Sequence, residues 1–181
     1  MTPPRVVVVS DSHFSDRTPE AGRNWATVVR YVEVSEPDLV VHVGDVSIDG
    51  ARVPDELGLA RRQLDLLGRP WAAVPGNHDV GDNPGHGVVS DEDVTSERLA
   101  RWGDAIGSDR WAVELGAWRL VGVDAQLFGS GLPEEDHQWS FLEQTLRVPR
   151  RTVLVTHKAL TAGEAELATA PPESLHPVAG A

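Results

Sequence analysis

Short β-branched runs alternate with segments of helical period in the first half of the chain. The runs are Arg5–Ser10, Leu39–Val43 and Trp71–Val74, and each is short and apolar enough to be a strand buried on both faces. Apolar residues recur at helical spacing between them, first at Trp25, Val28, Val29 and Val32 and then at Leu57, Ala60, Leu64 and Leu67. This β-α-β-α-β order predicts a parallel sheet with right-handed crossovers and helices on its faces.

Residues that suit helix ends mark the boundaries of these two helices. We expect the first helix to end near Pro37, because proline cannot continue a helix. Asp55 is the predicted N-cap of the second helix, and Gly68 is its predicted stop.

The second half of the chain predicts a hairpin, two helices and one more strand. Gly116 and Ala117 form a two-residue link with glycine first, which favours a type II′ hairpin. Pro133, followed by three acidic residues, is a strong helix start. The remaining predictions are a helix at Ser96–Ile106, hairpin strands at Trp111–Leu115 and Trp118–Val123, a strand at Thr152–Thr156, and an irregular tail at 170–181.

Side chains able to bind a metal follow four of the predicted strands. They are Asp11 and His13 after the first strand, Asp45 after the second, Asn77, His78 and Asp79 after the third, and His157 after the late strand. Ligands bind at the carboxyl ends of strands in parallel α/β sheets. A random chain of this composition would contain Gly-Asn-His-Asp, residues 76–79, about 0.001 times. The ordered set therefore predicts one site.

The chemistry of this set favours divalent cations. The chain has no cysteine, which excludes iron–sulfur clusters and thiol catalysis, and carboxylate, imidazole and carboxamide donors suit Mn, Fe or Zn. Two carboxylates about 4 Å apart, such as Asp11 and Asp45, would repel by roughly 4 kcal/mol at an effective dielectric near 20. Two metals about 3.5–4 Å apart would turn that repulsion into binding and could clamp a phosphoryl group.

These motifs resemble those of the calcineurin-like metallophosphoesterase superfamily, which read D-x-H, G-D, G-N-H-[DE], a lone H and G-H-x-H. The first four stand in order between Arg5 and Lys158. The stretches from Val41 to Gly50 and at Lys158 look most like the branch containing class III cyclic-nucleotide phosphodiesterases. The resemblance implies a four-layer α/β/β/α sandwich with a dinuclear site at the strand ends, which we assign to residues 1–169.

The resemblance also implies a role for each candidate metal ligand. Asp11 and His13 would bind the first metal, Asp45 would bridge both metals, and Asn77 and His157 would bind the second. The cofactors expected are two divalent metal ions, with manganese, iron and zinc as the candidates.

The resemblance assigns His78 and Asp79 to the chemistry rather than to the metals. His78 would contact the phosphate and assist the leaving oxygen as a general acid, and Asp79 would orient His78. His42, inside a predicted strand, is interpreted as a core histidine, and the tryptophans as core residues. Lys158 is left open between a phosphate contact and a pair with Glu164 or Glu166.

The fifth motif of the family, G-H-x-H, is absent from this sequence. Only 24 residues follow His157, and the one histidine among them is His176. The strands that would finish the second sheet are also missing. Either the chain is a fragment, or the site is incomplete, or a partner completes it. We expect each metal to be one protein ligand short, and an open sheet edge to favour a homo-oligomer.

The sequence therefore predicts a metal-dependent phosphoric ester hydrolase, of the cyclic-nucleotide phosphodiesterase type by resemblance, acting through a metal-bound hydroxide. The alternative is a truncated metal-binding remnant with a scaffold role or none. The net charge of −12 argues against nucleic-acid polymers and anionic membranes, so a small phosphodiester is the expected partner. The apolar run Val6–Val9 is too short for a signal peptide or a membrane span, which predicts a cytoplasmic protein.

Overall fold

Two three-stranded sheets form the frame of the protein in this computed structural model, which describes residues 3–84 and 91–158. The first sheet is entirely parallel, in the order β1 (Val6–Val9), β2 (Leu39–Val43) and β3 (Trp71–Val74). The second sheet contains β4 (Trp111–Leu115), β5 (Trp118–Gly122) and β6 (Arg151–Val155). Strand β4 is antiparallel to β5, and β6 is parallel to it. The predicted tail and His176 lie outside the described residues.

The helices occupy the predicted connections between these strands. They are α1 (Pro19–Ser35), α2 (Pro54–Asp65), α3 (Asn77–Val80), α4 (Ser96–Ala105) and α5 (Pro133–Leu146). Three of them begin with proline, whose fixed φ suits the first turn and whose missing N–H would have no partner there. The β-α-β-α-β order of the first half is therefore confirmed.

The two-residue hairpin link is confirmed, but one helix cap was predicted wrongly. Leu115 pairs with Trp118, and Gly116 has a φ of +59°, as the first position of a type II′ turn requires. Helix α2 begins at Pro54, so Asp55 lies in its first turn and is not its N-cap. The acidic side chain still favours the positive end of the helix dipole there.

Two hydrophobic layers hold the sheets in place. One lies between the first sheet and its helices and includes Trp25, Leu64 and Trp102. The other lies between the two sheets and includes Val41 and Leu120. Because both faces of the first sheet are covered, the fold is a two-sheet α/β sandwich with its strand ends free to carry a site.

The prediction that every tryptophan belongs to the core is wrong for two of them. Trp118 and Trp139 are 41% and 45% exposed, whereas Trp25 and Trp102 are buried as expected. The two exposed rings pack against a polar or an aromatic side chain instead of the hydrophobic core. The Arg151 guanidinium lies 5.7 Å from the centre of the Trp118 ring, and the Phe128 and Trp139 ring centroids are 5.1 Å apart. Among the helices of the described residues, none has the length and hydropathy needed to cross a bilayer.

Candidate metal centre

The loops that follow β1 and β2 run side by side at the carboxyl ends of these strands. The N–H of Asp11 donates to the Gly44 carbonyl at 3.1 Å, and the N–H of His13 donates to the Asp45 carbonyl at 3.0 Å. This pairing brings three predicted ligands, Asp11, His13 and Asp45, to one edge of the sheet, although Asp45 lies more than 30 positions from the other two in the sequence.

The backbone is in the left-handed region at all three of these ligands. The φ angles of Asp11, His13 and Asp45 are 56°, 47° and 54°. Among the described non-glycine residues, only Glu36, at the end of α1, shares this feature. Such conformations are unfavourable for residues with a Cβ and concentrate at functional sites. The strain thus marks the same positions as the sequence motifs.

Two glycines allow the ligands to come close together. A Cβ on Gly76 would lie 2.1 Å from Asp45 Oδ1, and a Cβ on Gly44 would lie 2.5 Å from His157 Nδ1. Any other residue at either position would displace a predicted ligand. The glycines of the Gly-Asp and Gly-Asn-His-Asp motifs are therefore needed for close packing around the site.

Asp45 lies at the centre of the predicted ligand set. Its Oδ2 is 3.9 Å from His13 Nε2 on one side and 3.5 Å from His157 Nε2 on the other. Asp11 Oδ1 is 3.8 Å from the same His13 nitrogen, so the two carboxylates converge on one imidazole. Asp45 is only 4% exposed. This position, between ligands from different sheets, suits a bridging carboxylate.

The hydrogen bonds of His157 determine which of its nitrogens can bind a cation. Its Nδ1 lies 2.8 Å from the Val43 carbonyl, which can only accept, so Nδ1 carries the proton. In the neutral imidazole the lone pair of Nε2 faces Asn77 Oδ1 at 3.3 Å and Asp45 Oδ2. In that state three electron-pair donors face one another, an arrangement that a cation between them would stabilise. Donor atoms that share one cation at about 2.1 Å lie about 3–4 Å apart, so the spacing fits a metal.

The candidate general acid lies beside this group. His78 Nδ1 is 2.7 Å from the Ile48 carbonyl, and its ring packs edge-on against His13 with centroids 4.8 Å apart. His13, Asp45 and His78 each present a potential ligand atom within 4.8 Å of the others. The structure therefore brings His78 as close to the predicted metal site as the expected ligands.

The chain also matches the model of a known protein family. The family model described as calcineurin-like phosphoesterase matches residues 4–170. The chain belongs to the calcineurin-like phosphoesterase family.

One curated relative has a related sequence. A probable glycerophosphodiester phosphodiesterase from Arcobacter nitrofigilis is 28% identical over 124 residues, which cover 66% of this chain and 41% of that protein. The chain thus spans about two fifths of the length of the curated relative it matches.

Two solved phosphatase structures share the fold of this chain. A purple acid phosphatase from yellow lupin aligns with a TM-score of 0.62 and 15% identity, over 96% of this chain and 34% of that one. A dimetal phosphatase from Danio rerio aligns with a TM-score of 0.50 and 19% identity, over 79% of this chain and 52% of that one. At these identities the similarity shows the metallophosphoesterase fold alone.

The resemblance implied that Asp79 orients the His78 ring, but the Asp79 carboxylate bonds other groups. Its carboxylate is fully buried and accepts hydrogen bonds from the backbone N–H groups of Val46, Ser47 and Gly76 and from the Ser47 hydroxyl. Burial, followed by the nearby charge of Asp45, raises the pKa of Asp79 to about 6. The Ile48 carbonyl orients His78 instead, a backbone contact that leaves no signal in the sequence.

His42 is the buried core histidine that the sequence predicts. It is 1% exposed, and its Nε2 lies 2.8 Å from Ser12 Oγ. Burial lowers the pKa of His42 to about 3, so this imidazole is neutral beneath the site. It supports the loop that carries Asp11 and His13 through the contact with Ser12.

A polar cavity of about 220 Å³ opens next to Asn77 and His78. Arg52 lies on its wall and forms an ion pair with Glu92 at 2.9 Å. The lining is dominated by charged and polar side chains, including Asp49 and Asp82. The protein therefore has room beside the predicted centre for a small polar group.

Proposed function

We propose that this phosphoesterase is a metal-dependent phosphodiesterase that hydrolyses small phosphodiesters. The observation that carries the proposal is the position of Asp45, whose Oδ2 lies within 4 Å of both His13 Nε2 and His157 Nε2. Asp11 and His13 would hold one divalent cation, Asn77 and His157 would hold the other, and Asp45 would be available to both.

The donor set defines the chemistry that bound metals would supply. Carboxylate, imidazole and carboxamide ligands without sulfur suit manganese, iron or zinc. A pair of such cations polarises a phosphoryl group and lowers the pKa of water. The anionic substrate would then meet local positive charge in spite of the net charge of −12.

The surroundings of His78 suit a proton donor to the leaving oxygen. The Ile48 carbonyl can only accept a hydrogen bond, so His78 Nδ1 keeps its hydrogen in either charge state. The Nε2 atom is therefore the one that gains and loses a proton. An imidazole whose orientation is fixed through Nδ1 is well placed for general acid catalysis from Nε2.

Two kinds of small phosphodiester are the candidate substrates. The resemblance to class III enzymes favours 3′,5′-cyclic nucleotides, and the name of the Arcobacter relative adds glycerophosphodiesters. The small polar cavity beside His78 supports a small polar alcohol as the leaving group. Parallel assays of a cyclic nucleotide and a glycerophosphodiester would distinguish the two candidates.

The hydrolysis of an aryl phosphodiester by metal-free protein, with and without added Mn²⁺, tests the proposal. We expect turnover only with Mn²⁺, and a decrease of at least about 100-fold in Asp45→Ala and Asn77→Ala. Asp65→Ala, at an exposed carboxylate paired with Arg61, is the control and should keep full turnover. If turnover is absent, or if neither site substitution changes it, the proposed enzymatic function is excluded. Mn²⁺ binding without turnover would support the scaffold role.

His78→Ala separates proton donation from metal binding. We expect this variant to lose turnover far more than it loses bound metal, because His78 acts on the leaving oxygen. Metal content measured on the same preparations checks this, and equal losses would show that His78 is a metal ligand.

A further inference from the structure

A polar cluster around one buried lysine, which we name the Lys158 hub, joins the second sheet to the loop after α3. It consists of Lys158, Asp82 and Asn83. Lys158 is 3% exposed, and its ammonium contacts the Asp82 carboxylate and donates to Asn83 Oδ1 at 2.8 Å. The Asn83 side-chain amide then donates to the carbonyls of Ala125 and Phe128 at 2.8 and 3.0 Å.

The hub lies next to two predicted metal ligands along the chain. Lys158 directly follows His157, at the end of the second sheet. Asp82 follows α3, the short helix that begins with Asn77, and the N–H of Gly81 donates to the Asn77 carbonyl at 3.0 Å. The Asn77 and His157 side chains, only 3.3 Å apart, thus belong to the two segments that the hub ties together.

The hub is also anchored to the segment that precedes α4. The N–H of Asp82 donates to the Glu92 carbonyl at 2.8 Å, and its carbonyl accepts from the N–H of Val94 at 2.7 Å. Because a buried ammonium without a partner is costly, Lys158 must follow the position of Asp82. The hub therefore sets the distance between the segment that carries Asn77 and the segment that carries His157.

We propose that Lys158 is a positioning residue that holds Asn77 and His157 at the spacing needed to bind a cation. The inference rests on the proposed dinuclear function and adds to it a determinant of metal affinity. It also adds Asp82 to the partners that the sequence suggested for Lys158, of which Glu164 and Glu166 lie outside the described residues. Supporting contacts around metal ligands typically change metal affinity by about 10–100-fold when they are lost.

Calorimetric titration of Mn²⁺ into metal-free protein tests the inference. The wild-type protein should bind two ions. In Lys158→Met, which keeps the apolar stem and removes the ammonium, we expect affinity for one ion to fall at least about tenfold and affinity for the other to remain. Asp82→Asn, which removes the partner charge, should weaken the same ion and provides the test if Lys158→Met does not fold.

Arg119→Met is the matched control. Arg119 is also a buried cation, 7% exposed, that bonds the Thr145 and Val148 carbonyls and pairs with Glu114, but it lies near the start of β5, away from the strand ends that carry the site. Thermal unfolding of the metal-free proteins should show a loss of stability in both variants. Only the hub variants should lose affinity for an ion.

Three results would overturn the inference, and they have different meanings. If Lys158→Met binds two Mn²⁺ ions with wild-type affinity, Lys158 has no positioning role. A raised KM in that variant would then show that Lys158 contacts the substrate instead. Equal weakening of Mn²⁺ binding in Lys158→Met and Arg119→Met would show a general structural effect. Fewer than two Mn²⁺ ions bound by the wild-type protein would overturn the dinuclear function itself.

Discussion

The buried carboxylate of Asp79 accepts hydrogen bonds from both the backbone N–H and the hydroxyl of Ser47, at 2.9 and 2.7 Å. Its other oxygen accepts from the N–H groups of Val46 and Gly76, at 3.2 and 2.9 Å. Val46 and Ser47 follow Asp45, and Gly76 precedes Asn77. One carboxylate therefore joins the two loops of the first sheet that carry the bridging ligand and the amide ligand.

We expect Asp79→Ala to lower the free energy of unfolding by at least about 3 kcal/mol, because several buried donors would lose their acceptor. Urea unfolding monitored by tryptophan fluorescence measures the change. The control is Asp65→Ala, at an exposed carboxylate whose loss should cost less than about 1 kcal/mol. Equal and small losses in both variants would show that Asp79 does not anchor these loops.

Gly76→Ala should disrupt the proposed metal centre. The added Cβ would lie 2.1 Å from Asp45 Oδ1 and 2.5 Å from the Asp45 backbone nitrogen, so both the carboxylate and the backbone that carries it must shift relative to His13 and His157. We expect Mn²⁺ affinity to fall at least about tenfold, measured by calorimetry. Gly103→Ala is the control, because this glycine lies within α4 with nothing within 4 Å of its Cβ position. It should leave Mn²⁺ binding unchanged and raise stability by up to about 1 kcal/mol.

The gathering of the site could be predicted from the sequence because it depends only on strand direction. Once β1, β2 and β3 are parallel, the residues after each strand meet at one edge, whatever the details of the loops. The prediction that Asp45 and Asn77 lie at the site therefore required no knowledge of side-chain geometry. The family model matches residues 4–170, a range that includes all of these positions.

The partners of individual side chains could not be predicted in this way. Asp79 bonds Ser47, 32 positions away, and Lys158 bonds Asp82, 76 positions away. Such pairs depend on the exact path of two loops in space, which leaves no periodic signal in the sequence. The partner of His78 is a backbone carbonyl, which every residue has, so the sequence could not single out Ile48.

Acid should destabilise the protein through His42. The folded pKa is about 3, below the ordinary value of 6.5, because burial disfavours the charged imidazole. The unfolded chain therefore binds more protons, and this contribution to stability, complete above about pH 6.5, is lost as the pH falls toward 3. The slope approaches about 1.4 kcal/mol per pH unit in that window.

His42→Gln removes this titration, so its unfolding free energy should fall less steeply between pH 6 and pH 4 than that of the wild-type protein, on the order of 1 kcal/mol per unit. Urea unfolding at several pH values checks the difference. His137→Gln, on α5, is the control and should keep the wild-type slope. Identical slopes for all three proteins would mean that His42 does not titrate in this way.

The outer strands of the sandwich should support self-association, because an open sheet edge favours a homo-oligomer. Within the described residues, β1 and β6 each pair with a strand on one side only, and both line an apolar cleft of about 310 Å³. Val8 and Val153 are 63% and 44% exposed there, and exposed apolar edge strands are templates for pairing with another chain.

We expect a second copy of the chain to associate at β6. Sedimentation velocity should show a concentration-dependent dimer that Val153→Lys abolishes and that Val34→Lys, at an exposed position on α1, leaves intact. A monomer at every concentration would rule out this interface.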